Sequence, residues 1–249
     1  MSDNISISVN ETIQHIQICR ADKMNAFTDE MYQSVATALK KSHKADEIKV
    51  NLISGVPGCF TAGNDISDFY TYAEKGSFSP GIIDFLTTLG TLDMPLILAI
   101  DGPAIGIGTT MAFHADLVYA TPEAIFATPF ADLGLTPEAA SSYLMPKTMG
   151  HARAYEMLAL GEKYSAKDAC RAGFVNKIIP SDELISHSLN IAKKLSKKPE
   201  SSLLATKQLL KTEQEYILTV MEKEVEIFTK QLQSKEAKAA FSSFLNKTK

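Results

Sequence analysis

Two glycine-bearing stretches carry the residue types that could do chemistry in this chain. They are Ala62-Gly63-Asn64-Asp65 and, about forty residues later, Gly106-Ile107-Gly108. The second follows Leu96-Ile97-Leu98-Ala99-Ile100, a run with the length and β-branched content of a buried strand, and precedes a short apolar helix, residues 109–115. A strand, a glycine turn and a buried helix start aim unpaired backbone N–H groups, and the positive end of a helix dipole, at one spot. Such a spot holds negative charge on an oxygen. Phosphate fits poorly: Gly106-Ile107-Gly108 lacks the third glycine of a dinucleotide fingerprint, and no Gly-Lys-Ser/Thr follows. Taken alone, the stretch is equally consistent with glycines that only permit close helix–strand packing. The first stretch adds weight to the anion reading, because two N–H groups converging from two separate corners make an oxyanion hole.

Composition narrows the class. The chain has 249 residues, 45% apolar and 22% charged, enough for one large core or for a domain plus an appendage. A net charge of −4 gives no global attraction to nucleic acid or to an anionic membrane. The lysine run Lys193, Lys194, Lys197, Lys198 lacks interleaved aromatics and reads as a solvated helix face. Cys19, Cys59 and Cys170 are odd in number and far apart, and the five histidines are scattered, so no disulfide framework or structural metal is expected. No apolar run approaches about 18 residues, and neither a signal peptide nor a peroxisomal address is evident, so a cytoplasmic location is expected.

The elements that must position the two corners follow from periodicity. Ile5-Ser6-Ile7-Ser8-Val9 alternates, and with residues 13–19 reads as a hairpin. Thr28-Asp29-Glu30 caps a helix whose core face is Met31, Val35, Ala38 and Leu39. Residues 48–54 read as a strand. Residues 71–80 show no period and read as a loop, a candidate lid. Ile82, Phe85, Leu86 and Leu89 mark a helix, and residues 117–120 a strand. Thr136-Pro137-Glu138 reads as a helix start. Ser165-Ala166-Lys167-Asp168 is a capping-box pattern, and residues 174–179 read as the last strand. Beyond Pro180, about seventy residues read as three or four helices with breaks near Pro199, Gln214 and Ser234. Strands and helices alternate to about residue 180, so an α/β core is expected, followed by an all-helical tail that covers its own core or a neighbouring subunit.

The chain resembles the enoyl-CoA hydratase/isomerase (crotonase) family. The matching motifs are Phe60-Thr61-Ala62-Gly63-Asn64-Asp65-Ile66, residues 100–108, and Ala115-Asp116-Leu117-Val118-Tyr119-Ala120. The resemblance implies an α/β spiral of repeated β-β-α units. Residues 1–195 would form the core with the active site, and residues 196–249 a helical trimerisation region. It implies an acyl-CoA substrate, no separate cofactor, no metal, no nucleic acid or membrane partner, and a homotrimer or dimer of trimers. It places the oxyanion-hole N–H groups at Asn64 and Ile107.

The family's acid–base residues do not all carry over. The hydratase glutamate three residues after the second hole residue falls on Thr110, and the glutamate of the Phe-x-x-Pro-Glu stretch falls on Phe130. Water addition needs a group to activate water, and neither side chain can do so. Residues 133–143 instead resemble the segment of Δ3,Δ2-enoyl-CoA isomerases that supplies a single catalytic glutamate, here Glu138. The competing reading is a plain helix start, with Thr136 at N-cap, Pro137 at N1 and Glu138 at N2. The same tripeptide at Thr121-Pro122-Glu123 carries no chemistry. Lys23 and Ala26 would line the CoA groove, although a merely solvated Lys23 is an equal reading. Ala62, Gly63, Asp65, Ile66, Gly106, Thr110, Phe130 and Leu135 would contact substrate. The implied activity is transfer of a 3-enoyl-CoA double bond to trans-2-enoyl-CoA. The alternatives are an isomerase or dehydratase on a cyclic or aryl CoA ester, and a non-catalytic acyl-CoA-binding protein.

Overall fold

A computed structural model describes residues 2–45, 47–75 and 78–247. The chain opens with an antiparallel hairpin, β1 (Ile5–Asn10) and β2 (Ile13–Ile18), followed by helix α1 (Asp29–Lys44). Thr28 caps α1 through its hydroxyl, which accepts from the Met31 N–H, and Met31, Val35, Ala38 and Leu39 are all buried as the spacing requires. Strand β3 (Val50–Ser54), helices α2 (Ile66–Lys75) and α3 (Pro80–Thr91), and strand β4 (Leu96–Ile100) come next. They lead into β5 (Pro103–Ile105), the short helix α4 (Ile107–Thr110) with a 3₁₀ turn to Phe113, and strands β6 (Leu117–Ala120) and β7 (Ile125–Ala127).

Two sheets result. One has the order β1-β2-β3-β4-β6, parallel beyond the hairpin, and is completed by β9 (Lys177–Ile178). The other pairs β5 with β7 and β8 (Tyr164–Ser165). Strands β3 and β4 are buried throughout, as parallel strands covered on both faces must be. Alternate residues therefore serve two cores. Val50, Leu52, Ile97 and Ala99 pack towards α8 (Leu184–Ser196), while Ile53, Leu96, Leu98 and Ile100 join the main core.

Between β7 and β8 lie α5 (Ser141–Met149) and α6 (His151–Leu158), and α7 (Ala166–Ala172) follows β8 with its Ser165/Asp168 capping box formed. The tail is helical as expected: α8, α9 (Glu200–Leu210), α10 (Gln214–Leu232) and α11 (Lys235–Lys247). Ile217, Met221, Phe228, Leu232, Ala237 and Phe241 of the last two helices pack into the main core of the same chain.

Three local expectations are corrected. The stretch read as a loop over residues 71–80 is mostly helix. Phe69 and Ala73 bury one face of α2, which runs to Lys75, and Ser79 caps α3 with Pro80 at its start. Phe78 packs edge-on against Phe69 and tilted against Phe228; the rest of the candidate lid, residues 76–77, lies outside the described residues. The last strand is Lys177–Ile178 rather than residues 174–179, because Phe174 and Val175 turn into the core beside α7. The third correction concerns Thr136-Pro137-Glu138 and bears on the site.

Candidate active site

The two glycine corners meet. Thr61 donates its N–H to the Pro103 carbonyl (2.9 Å), and Ile105 donates back to the Thr61 carbonyl (3.0 Å), laying residues 61–63 alongside β5. The backbones then approach as only glycines allow. A Cβ on Gly63 would lie 3.0 Å from the Ile105 carbonyl oxygen and 3.9 Å from the Gly106 nitrogen, and Gly63 and Gly106 have φ of +92° and +54°. Asn64 and Ile107 follow these glycines directly. Among the described residues, neither backbone N–H donates to a protein acceptor. The Ile107 N–H stands at the first position of α4, where a helix leaves its amides unpaired.

The loop of residues 20–27 is stitched onto the first corner. Phe27 donates to the Gly63 carbonyl, Asp65 to the Phe27 carbonyl and Ala62 to the Met24 carbonyl. The Arg20 guanidinium bridges the Ala26 carbonyl and the Asp65 carboxylate at 2.7 Å. Burial alone would raise the Asp65 pKa, but the Ser67 hydroxyl and Arg20 hold it below the usual range. Ala26 lies beside the corner and is half-buried. Lys23 is exposed at the rim, where no described contact orients it. Ile66 opens α2. Asp65 thus faces the loop as an anchor.

Glu138 reaches the same place by a different route. It is 4% exposed, and its Oε1 accepts a hydrogen bond from the Thr110 hydroxyl at 3.1 Å. Thr110 stands three residues after Ile107 in α4, so this bond ties the carboxyl to the same short helix whose first amide is that of Ile107. Phe130 and Leu135 are buried and joined by a 2.7 Å backbone bond, and the Phe130 ring edge lies 4.0 Å from where a Gly106 Cβ would stand. Burial is the main cause that raises the Glu138 pKa, from the usual 4.5 to about 7. Thr110 opposes the rise and the Glu224 charge adds to it.

Glu138 is not a helix-start residue. Helix α5 begins at Ser141, and Ala139 and Ala140 take left-handed backbone, φ +57° and +53°. The side chain is therefore free of the capping role that the tripeptide would give it. The left-handed turn is held from outside. The buried His114 places Nε2 2.7 Å from the Ala139 carbonyl, so Nε2 carries the proton. Burial and the Lys211 charge push the His114 pKa down to about 4.

Two residues that sequence reasoning missed complete the surroundings. Tyr32 of α1 is buried, stacks on Phe27 and donates its hydroxyl to the Asn64 Oδ1 at 2.6 Å. Desolvation, and after it the Glu138 charge, raise its pKa well above the usual value. A tyrosine on the core face of an amphipathic helix needs a partner for its hydroxyl, and that was the available signal. The second is Glu224, which sits on α10 with no local signature.

The Tyr32 bond carries a prediction. Asn64→Ala leaves the backbone N–H in place but orphans the buried Tyr32 hydroxyl. Thermal unfolding should show a loss of ~1–3 kcal/mol, with turnover reduced far less than by removal of Glu138.

The fold and these corners define a class of protein, and comparison with known proteins gives the same class. The enoyl-CoA hydratase/isomerase family model matches residues 8–249. The solved structure of Pseudomonas aeruginosa OdaA superposes with a TM-score of 0.93 at 35% identity, covering 98% of this chain and 99% of that one. Enoyl-CoA delta isomerase 2 of Rattus norvegicus is 33% identical over 99% of this chain, which spans 64% of the rat protein's length. The 1,2-epoxyphenylacetyl-CoA isomerase of Escherichia coli (strain K12) is 29% identical over 84% of this chain and 82% of its own length. The chain belongs to the enoyl-CoA hydratase/isomerase family. Among the described residues no helix is long and apolar enough to cross a membrane.

Proposed function

We propose that this protein is a Δ3,Δ2-enoyl-CoA isomerase that works with one carboxylate. The observation that carries this reading is the buried Glu138, bonded to Thr110 of the helix that opens at Ile107, with burial pushing its pKa up to about 7, together with the unpaired amides of Asn64 and Ile107 from two corners that meet. In a 3-enoyl thioester the C2 protons are acidified by the carbonyl and the alkene together. Glu138 removes one as general base. The charge of the resulting dienolate moves to the thioester oxygen, where the Asn64 and Ile107 N–H groups hold it. Glu138 then returns the proton at C4, giving trans-2-enoyl-CoA. A carboxyl whose pKa lies near 7 can both take and give a proton at neutral pH. Coenzyme A arrives as part of the substrate.

Hydration is disfavoured because Thr110 and Phe130 occupy the two positions where hydratases of the family carry glutamates. Thr110 serves instead as the hydrogen-bond donor to Glu138. The relative that isomerises 1,2-epoxyphenylacetyl-CoA supports a second reading, an aryl CoA ester as substrate at the same carboxylate. The test is the rise of the conjugated enoyl thioester in the ultraviolet with trans-3-hexenoyl-CoA, run in parallel with chromatographic analysis of the product from 1,2-epoxyphenylacetyl-CoA as the aryl ester. Turnover of the linear substrate supports the first reading, and turnover of the aryl ester alone supports the second. The exposed Leu209 and Leu210 at the end of α9 fit a trimer contact of the helical tail, which light scattering reads as a trimeric mass.

A further inference from the structure

The turn that aims Glu138 is held by a carboxylate from the far end of the chain. Glu224 is 7% exposed, and its Oε2 accepts from the Ala140 N–H at 2.6 Å while its Oε1 accepts from the Ser142 N–H at 3.0 Å. These two amides bracket the first residue of α5. The two alanines before it, Ala139 and Ala140, stand in left-handed backbone, which a residue with a Cβ rarely adopts. On the other side His114 holds the Ala139 carbonyl. The segment after Glu138 is thus clamped between His114, which follows the 3₁₀ turn, and α10, by bonds that no local sequence preference supplies.

We propose that Glu224 is a positioning residue for Glu138: its two-point grip on the Ala140 and Ser142 amides fixes the left-handed turn that aims the base at the substrate. This rests on Glu138 being the base. Burial of a carboxylate is costly in itself and raises the Glu224 pKa, against the Ser142 hydroxyl and the Ser142 and Ala140 amides that lower it; only a carboxylate offers an acceptor oxygen to each of the two amides. The charge has a second effect, since Glu224 raises the proton affinity of Glu138. The other polar groups around this pair include the Thr110 hydroxyl, which bonds Glu138, the Tyr32 hydroxyl, the neutral His114 ring on the Ala139 carbonyl, and the Ser142 hydroxyl beside Glu224. Lys223, Tyr143 and Tyr216 share an open cavity with Glu224.

The test uses Glu224→Gln and Glu224→Asp in the full chain. The glutamine keeps the shape, removes the charge and sets an amide donor against two amide donors. The aspartate keeps the charge on a shorter arm. Two readouts are taken. One is kcat and KM on trans-3-hexenoyl-CoA. The other is the titration midpoint of Glu138 by carbon NMR of carboxyl-labelled glutamates, with the signal assigned through Glu138→Gln. Glu224→Gln is expected to lower kcat about a hundredfold, as ångström-scale misplacement of a base does, with little change in KM and a Glu138 midpoint below that of the wild type. Glu224→Asp is expected to recover part of both. A folded Glu224→Gln protein with unmoved kcat and unmoved midpoint overturns the proposal, even if its thermal stability falls. If the wild type isomerises no 3-enoyl thioester but the midpoint still falls in Glu224→Gln, the base assignment has failed while the link between Glu224 and Glu138 stands.

Discussion

Glu138→Gln should reduce turnover of a 3-enoyl-CoA by at least ~10²–10⁴, the range a positioned base contributes, while CoA-ester binding persists. The amide can still accept from the Thr110 hydroxyl, so the local geometry survives and only proton transfer is lost. The same variant should be more stable than the wild type. Glu138 is an acid whose folded pKa is raised, from the usual 4.5 to about 7, so the folded state binds more protons than the unfolded state in between. Wild-type stability therefore falls as pH rises from about 4.5 to about 7, and a neutral glutamine does not incur that loss. Full separation corresponds to ~3 kcal/mol at most. Thermal unfolding of both proteins at pH 5 and pH 8 checks this. The gap in favour of Glu138→Gln should widen at the higher pH, and a gap that narrows would place the carboxylate in a site that favours its charge.

The second large effect is expected at Gly63. Gly63→Ala places a Cβ 3.0 Å from the Ile105 carbonyl oxygen on backbone with φ +92°, so the two corners must part. If the Asn64 amide is an oxyanion donor, kcat should fall ~10²–10³, the effect of losing one such donor, and stability should fall ~1–3 kcal/mol. Gly58→Ala is the matched control. Its φ of +77° imposes similar strain, but nothing lies within 4 Å of the new methyl, and Gly58 is exposed away from the corner. Steady-state kinetics on both variants separates strain from function. Equal losses of kcat in the two would remove the corner from the reaction.

How much of this was legible in the sequence depends on how local each signal is. The strands β3 and β4 are short apolar runs buried on both faces, and their burial follows from composition alone. The caps at Thr28 and Ser165 form because a hydroxyl and the amide it accepts from lie three residues apart. The glycine corners were visible for the same reason, since positive φ next to a close backbone approach selects glycine. The segment of residues 136–140 was misread because its determinants are remote. Thr136-Pro137-Glu138 has the composition of a helix start, yet bonds from Glu224 and His114 hold the following alanines in a conformation their own propensity opposes. Residues 71–80 were misread in the opposite direction. Ser79-Pro80 is a good helix start hidden beside Gly76 and Ser77, and the aromatic contacts of Phe69 and Phe78 with Phe228 come from a helix far along the chain. Tyr32 was not singled out, because its bond to Asn64 spans 32 positions.

The central claim is that one buried carboxyl carries the proton from C2 to C4, and following the label tests it most directly. 3-Hexenoyl-CoA bearing deuterium at C2 is converted in ordinary water, and the product is examined by mass spectrometry and NMR. Because Glu138 is 4% exposed, its proton should exchange with solvent slowly, so trans-2-hexenoyl-CoA should carry part of the deuterium at C4. A hydroxyacyl product, or an isomerised product with no deuterium at C4 under single-turnover conditions, would contradict the single-carboxylate account.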